Sequence, residues 1–177
     1  MTMECPACGF ENIAGEETCE NCGQDLTELS RPHARTRVDK SLHTEPVRVL
    51  QRRPPVIVTA DRKVHDVIAS LVAHGESCAA VVGPDGNVIG VFSERDLLLK
   101  VAGKGDDLLG RPVREFMTTN PVTIEADAPI AYALHQMDIG SYRHLPLVED
   151  GKPVGMIRVL DILTHIANQL YEESDEE

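Results

Sequence analysis

Four cysteines near the start of the chain are spaced for metal chemistry. Cys5-Pro6-Ala7-Cys8-Gly9 and Cys19-Glu20-Asn21-Cys22-Gly23 are two C-x2-C-Gly knuckles with ten residues between them. Each knuckle sets two thiolates on one tight turn, and four thiolates at this spacing suit a tetrahedral Zn2+ ion. The glycine after the second cysteine allows the backbone angle that such a turn needs. Disulfides would need an oxidising compartment, and no signal peptide precedes Cys5, since the chain begins Met1-Thr2-Met3-Glu4. Iron in a four-thiolate site uses similar knuckles and stays open beside the favoured zinc. With four protein thiolates as ligands, no coordination position is left for a substrate. The expected role is therefore structural, with metal binding of about 10–16 kcal/mol stabilising a segment too short to fold unaided.

Two carboxylates form the second candidate chemistry. Val88-Ile89-Gly90-Val91-Phe92-Ser93-Glu94-Arg95-Asp96 and Pro153-Val154-Gly155-Met156-Ile157-Arg158-Val159-Leu160-Asp161 share one pattern, 65 positions apart. Each reads as a short apolar strand containing glycine, followed at once by a helix with an aspartate in its first turn. Ser93-Glu94-Arg95-Asp96 also fits a capping box, and an aspartate in a first turn suits the helix dipole. Arg158 cannot cap as serine does, yet Asp161 still lies three residues on. Capping alone does not require that arrangement, which favours a binding role at Asp161 and leaves Asp96 open between the two.

The elements that must position these aspartates are themselves duplicated. Ala79-Ala80-Val81-Val82 falls opposite Leu145-Pro146-Leu147-Val148 at a shift of 66, and the one-residue difference is absorbed by the turns Gly83-Pro84-Asp85-Gly86 and Glu149-Asp150-Gly151. Val64, Val67, Ile68 and Leu71 recur as Ile130, Ala133, Leu134 and Met137 at helical spacing. Helix starts are signalled by Asp61 and by Asp127 with Pro129. Strands at Val56-Ile57-Val58 and Val122-Thr123-Ile124 precede the helices. Each repeat is β-α-β-β-α, about sixty residues long, and too small to be comfortable alone. Two copies packed sheet against sheet make one joint module. The expected fold is mixed α/β (α+β or α/β). Its divisions are 46–110 and 111–171 for the repeats, 1–28 for the cysteine domain, 29–45 for a flexible basic linker, and 172–177 for an acidic tail.

The order of elements, the strand Tyr142-Arg143-His144-Leu145-Pro146-Leu147-Val148 and the Gly-x5-Asp endings resemble a tandem pair of CBS domains, a Bateman module, over about two thirds of the chain. The cysteine block resembles a zinc ribbon. The first resemblance implies a cleft for an adenosine-containing ligand (AMP, ADP, ATP or S-adenosylmethionine), pairing into a homodimer, and regulation of something else without chemistry of its own. It places Asp96 and Asp161 on ribose hydroxyls, where two acceptor oxygens meet a vicinal diol. It places Ser93 and Ser77, and Arg158, Arg143 and His144, around ribose or phosphate. Arg158 departs from the family's usual Ser or Thr: it either grips a phosphate bidentately or pairs with Asp161 and fills that half-site. His144 is either a ligand group or an ordinary half-buried histidine. Ser77 and Cys78 stand opposite Arg143 and His144, so the half-sites are chemically unequal, and Cys78 is expected to pack as a small hydrophobe.

Charge narrows the partners. The net charge is −12, with seven acidic residues and no Lys or Arg in residues 1–30. Residues 31–55 reverse this through Arg31, Arg35, Arg37, Lys40, Arg48, Arg52 and Arg53, against Asp39 and Glu45. Residues 31–45 carry little periodic apolar content and read as a solvated tether; Arg52 and Arg53 enter the first strand and could reach a ligand phosphate. Acidic flanks and few aromatics argue against nucleic acid. No apolar run spans a membrane, and no P-loop, nucleophile elbow or His-Glu-x-x-His occurs. The expectation is a cytoplasmic regulator, not an enzyme, that signals to a protein partner through the ribbon. A ligand-free assembly scaffold and a nucleic-acid-binding regulator are the alternatives.

Overall fold

The computed structural model describes residues 2–13, 16–26, 36–50 and 54–174. Arg31, Arg35, Arg52, Arg53 and the tail beyond residue 174 lie outside them. Two compact units form. One collects the described residues up to 50, Asp127–Arg143 and those from 158 on; the other holds those from 54 to 126 and His144–Ile157. The division thus runs through the second repeat and not between the repeats.

The second unit holds the larger two of the three described sheets. β3 (Val56–Thr59), β4 (Cys78–Val82), β5 (Val88–Ser93) and β6 (Thr118–Thr119) make a four-stranded sheet in that order, and β7 (Ile124–Glu125), β8 (His144–Glu149) and β9 (Lys152–Arg158) a three-stranded one. In each, the first pair is parallel, β3 with β4 and β7 with β8, as a strand–helix–strand crossover requires. Val56, Val58, Val64, Val67, Leu71, Ala79, Val81 and Phe92 close the first repeat's core beneath α2 (Val64–His74). The sheets meet through Cys78, Ala80 and Met156, with Val91 packed on them. Cys78 is the small buried hydrophobe expected, and burial pushes its thiol pKa up.

The helices that follow the two aspartates differ. In the first repeat α3 (Glu94–Asp96) passes into a π-helical turn, Leu97–Val101, and stops where Ala102 turns extended before Gly103. In the second, α5 (Val159–Ser174) runs for 16 residues, the last three of them within the expected tail.

The first unit contains α5, α4 (Ile130–Gly140), the cysteine ribbon with β1 (Thr2–Glu4) and β2 (Glu11–Ile13), and α1 (Arg37–Thr44). The stripe of α4 is buried at Ile130, Ala133 and Met137 but exposed at Leu134. α1 overturns the reading of 29–45 as a tether throughout. Thr36 and Asp39 form a full capping box, with Asp39 N–H donating to Thr36 Oγ1 (3.1 Å) and Thr36 N–H to Asp39 Oδ2 (3.2 Å). Its buried residue is polar: Ser41, with its Oγ 2.6 Å from His165 Nε2 on α5. Apolar periodicity does not reveal such an anchor.

The expected caps of α2 and α4 are also corrected. The helices start at Val64 and Ile130 without a side-chain cap. Asp61 and Asp127 instead pair with Arg114 and Arg48. These arginines ride on two straps. In one unit, Val47 N–H donates to Ala128 O (2.8 Å) and Ile130 N–H to Glu45 O (3.0 Å). In the other, Val113 N–H donates to Arg62 O (2.8 Å) and Val64 N–H to Arg111 O (3.0 Å). The segment ahead of each repeat therefore lies on the helix start of the other. Pro46-Val47-Arg48 recurs as Pro112-Val113-Arg114 at the same shift of 66 as the strands.

Candidate functional site

The four cysteine sulfurs converge. All lie within 4.8 Å of one another, with Cys5 to Cys22 and Cys8 to Cys19 each 3.7 Å apart. A tetrahedral site with metal–sulfur bonds of about 2.3 Å has an edge of about 3.8 Å, so the donor set fits a metal ion. The knuckles are built by matched bonds: Gly9 N–H donates to Cys5 O and Gly23 N–H to Cys19 O, both at 2.8 Å, with the glycines at φ +73° and +71°. Buried Asn12 donates its amide to Cys19 Sγ (3.6 Å) and accepts Glu20 N–H (3.0 Å); Asn21 donates to Cys8 Sγ (3.6 Å).

Burial raises the Cys5 and Cys22 thiols, and their sulfur neighbours add to it. Burial also works against a Cys19 thiolate, but the N–H groups of Cys22 and Asn21 and the Asn12 amide outweigh it and bring the thiol down to about 6. Four thiolates in so small a volume require a cation. When bound, the metal supplies a cross-link between the knuckles.

This ribbon is seated on helices of its own unit. His135 Nε2 on α4 is 2.6 Å from the Cys22 carbonyl oxygen, and His43 Nδ1 on α1 is 3.3 Å from that of Pro6. Burial raises the phenol of Tyr132 on α4, and neighbouring Cys22 and Cys8 reinforce the shift.

The first repeat's aspartate sits in a closed polar cluster. Asp96 is buried; its Oδ2 accepts Ser93 N–H (2.9 Å) and the Ser93 hydroxyl (2.8 Å). Its Oδ1 accepts the Thr118 hydroxyl (3.0 Å) and lies 2.7 Å from Lys100 Nζ. Burial alone would raise this carboxyl; Lys100 and Ser93 outweigh it and hold it below its ordinary range. Lys100 also donates to the Phe116 carbonyl (2.6 Å). Beside the cluster, the Ser77 carbonyl accepts Glu94 N–H (3.0 Å), and Ser77 Oγ lies 2.6 Å from His144 Nε2.

In the second repeat Asp161 Oδ2 accepts Arg158 N–H (2.9 Å), and the Arg158 guanidinium adds bonds to both carboxylate oxygens, the shortest 2.6 Å. The inference that capping does not require an aspartate after Arg158 is thereby corrected. The N3 carboxylate bonds the backbone N–H of the N-cap residue, and arginine carries that N–H as well as serine does. Arg143 is exposed, accepts Val159 N–H through its carbonyl (3.2 Å), and its side chain belongs to none of these pairs. The structure thus joins Ser93 with Asp96, Ser77 with His144, Arg158 with Asp161, and the four cysteines. It adds Lys100, Thr118, His43 and His135. Lys100, four residues after Asp96 on one helical face, carried a readable signal.

The CBS domain family model matches residues 47–103 and 113–168. The chain belongs to this family. A CBS-domain-containing protein from Agrobacterium tumefaciens is 30% identical, with 68% of this chain and 98% of that one covered and a TM-score of 0.60. A CBS domain protein from Pyrobaculum aerophilum, solved complexed with AMP, is 26% identical over 70% of this chain and 98% of its own, with a TM-score of 0.61. The A-adding tRNA nucleotidyltransferase of Aquifex aeolicus is 29% identical over 124 residues, which is 70% of this chain but 15% of the enzyme. Among the described residues, no helix is long and apolar enough to cross a membrane.

Proposed function

We propose that the chain is a regulatory, non-catalytic module whose CBS pair senses an adenosine-containing ligand and whose zinc ribbon relays that state to a protein partner. The observation that carries the reading is the complete tandem pair, shared at similar length with the AMP-bound Pyrobaculum aerophilum protein. AMP, ADP, ATP and S-adenosylmethionine are the ligand class. Asp161 and Asp96 take the ribose hydroxyls; Ser93 and Ser77 line the first half-site; Arg158, Arg143 and His144 answer phosphate. The working form is a cytoplasmic homodimer, with nucleic acid not among its partners. Ligand binding shifts the population of two arrangements of the repeats, and a partner reads the shift.

Titration calorimetry and thermal-shift measurements on ligand-stripped protein test this. AMP, ATP or S-adenosylmethionine should release heat and raise the melting temperature, and Asp161→Ala should weaken the response. Silence from all three ligands in both measurements would end the sensing claim. A second reading, a ligand-free assembly scaffold, is favoured by one observation: Arg158 already occupies both oxygens of Asp161.

A further inference from the structure

The two carbonyls that the helices hold belong to the metal knuckles themselves. Pro6 lies between Cys5 and Cys8, and Cys22 is a ligand in its own right. His43 takes the first knuckle and His135 the second, from different helices. A knuckle carbonyl keeps its direction only while the sulfurs around it are fixed, and without a cation the buried sulfurs resist sharing that volume. The bed is tied in turn to the rest of its unit. α1 reaches α5 through Ser41 and His165, which lies one turn beyond Asp161, and the Glu45 carbonyl just past α1 receives the first N–H of α4.

We propose that His43 and His135 are positioning residues of the metal site, coupling metal occupancy to the order of α1 and α4. The inference rests on the four-thiolate metal reading. Metal fixes the knuckles, the knuckles hold the two histidines, and by linkage the histidines raise metal affinity in return. The ribbon is then a clamp on the second repeat's helices as well as a surface for others, and its loss of metal is a signal the module itself feels.

The test uses the full-length, zinc-loaded chain under reducing conditions, with a chromophoric chelator competing for zinc. His135→Ala should weaken zinc retention about tenfold, within the usual 5–150-fold span of coupling between sites, and His43→Ala less, in keeping with its longer contact. His135→Gln should recover most of the loss, because a carboxamide also donates to the Cys22 carbonyl. His74→Ala is the control, since among the described residues that side chain bonds the Ser70 carbonyl of its own helix.

Hydrogen exchange on the wild-type chain gives a readout independent of any substitution. Stripping zinc should speed exchange in α1 and α4 and leave α2 unchanged. Wild-type zinc affinity in both alanine variants, or exchange in α4 indifferent to zinc, would overturn the coupling while leaving the metal site standing. A chain that purifies without metal and takes up none when zinc is added would overturn both.

Discussion

Asp96 and Asp161 occupy one position in two copies of one motif, and they are held in different ways. Asp96 is bound by Ser93, Thr118 and Lys100, which come from a strand end, a second strand and the turn of helix beyond it. Among the described residues Asp161 is bound by Arg158, through backbone and side chain. The shared part is the bond from carboxylate to N-cap N–H, which any residue but proline can donate. The rest is free to diverge, and it has. A carboxylate fixed by three residues braces the frame in addition to the ribose role proposed for it. One held by a single, partly exposed arginine side chain has a partner that can swing away.

The comparison is most exposed to attack through stability. Asp96→Ala should cost on the order of 3 kcal/mol, because it strips a buried carboxylate from Lys100, Thr118 and Ser93 together. Asp161→Ala should cost about 1 kcal/mol, the scale of a partly solvated pair. Urea unfolding of both variants decides, and equal losses would break the contrast. Next in size is Arg158→Ser, which gives the second copy the residue of the first. It should weaken AMP binding about tenfold, or about 1.4 kcal/mol, by taking a guanidinium from the phosphate; tighter binding by calorimetry would instead make Arg158 a plug on Asp161. The smallest effect is in acid. The Asp96 carboxyl lies below its ordinary range when folded, so its bonds contribute fully above the unfolded value near 4 and are lost as pH falls through the lowered folded value. Urea midpoints taken from about pH 5 downward should fall more steeply for wild type than for Asp96→Asn; parallel slopes would remove the frame role assigned to Asp96.

Repeated apolar patterns made the two repeats legible in the residues alone. Val64, Val67 and Leu71 lie where their spacing puts them, and so do the strands around Gly90 and Gly155. The knuckles were legible because cysteine spacing states its geometry directly. What stayed hidden is held by polar bonds between residues far apart in sequence. Thr118 meets Asp96 only because β6 pairs with β5, and His135 meets Cys22 only because the ribbon is seated on α4. α1 escaped because its anchoring residue is a serine, not an apolar stripe. Asp61 and Asp127 look like helix caps in sequence, yet an arginine from the opposite repeat's strap takes each one.

Those straps bear on how the chain can be divided. Because Pro46–Arg48 lies on the second repeat and Pro112–Arg114 on the first, neither repeat carries the piece that covers its own helix start. A gene fragment for one repeat would encode a strap without its seat and a seat without its strap. Two such fragments could answer each other by mutual exchange, in the manner of a swapped pair. In that sense the chain is two halves of one reciprocal fit, written in a single line, and the natural cut for making it in pieces lies before the straps and not after them.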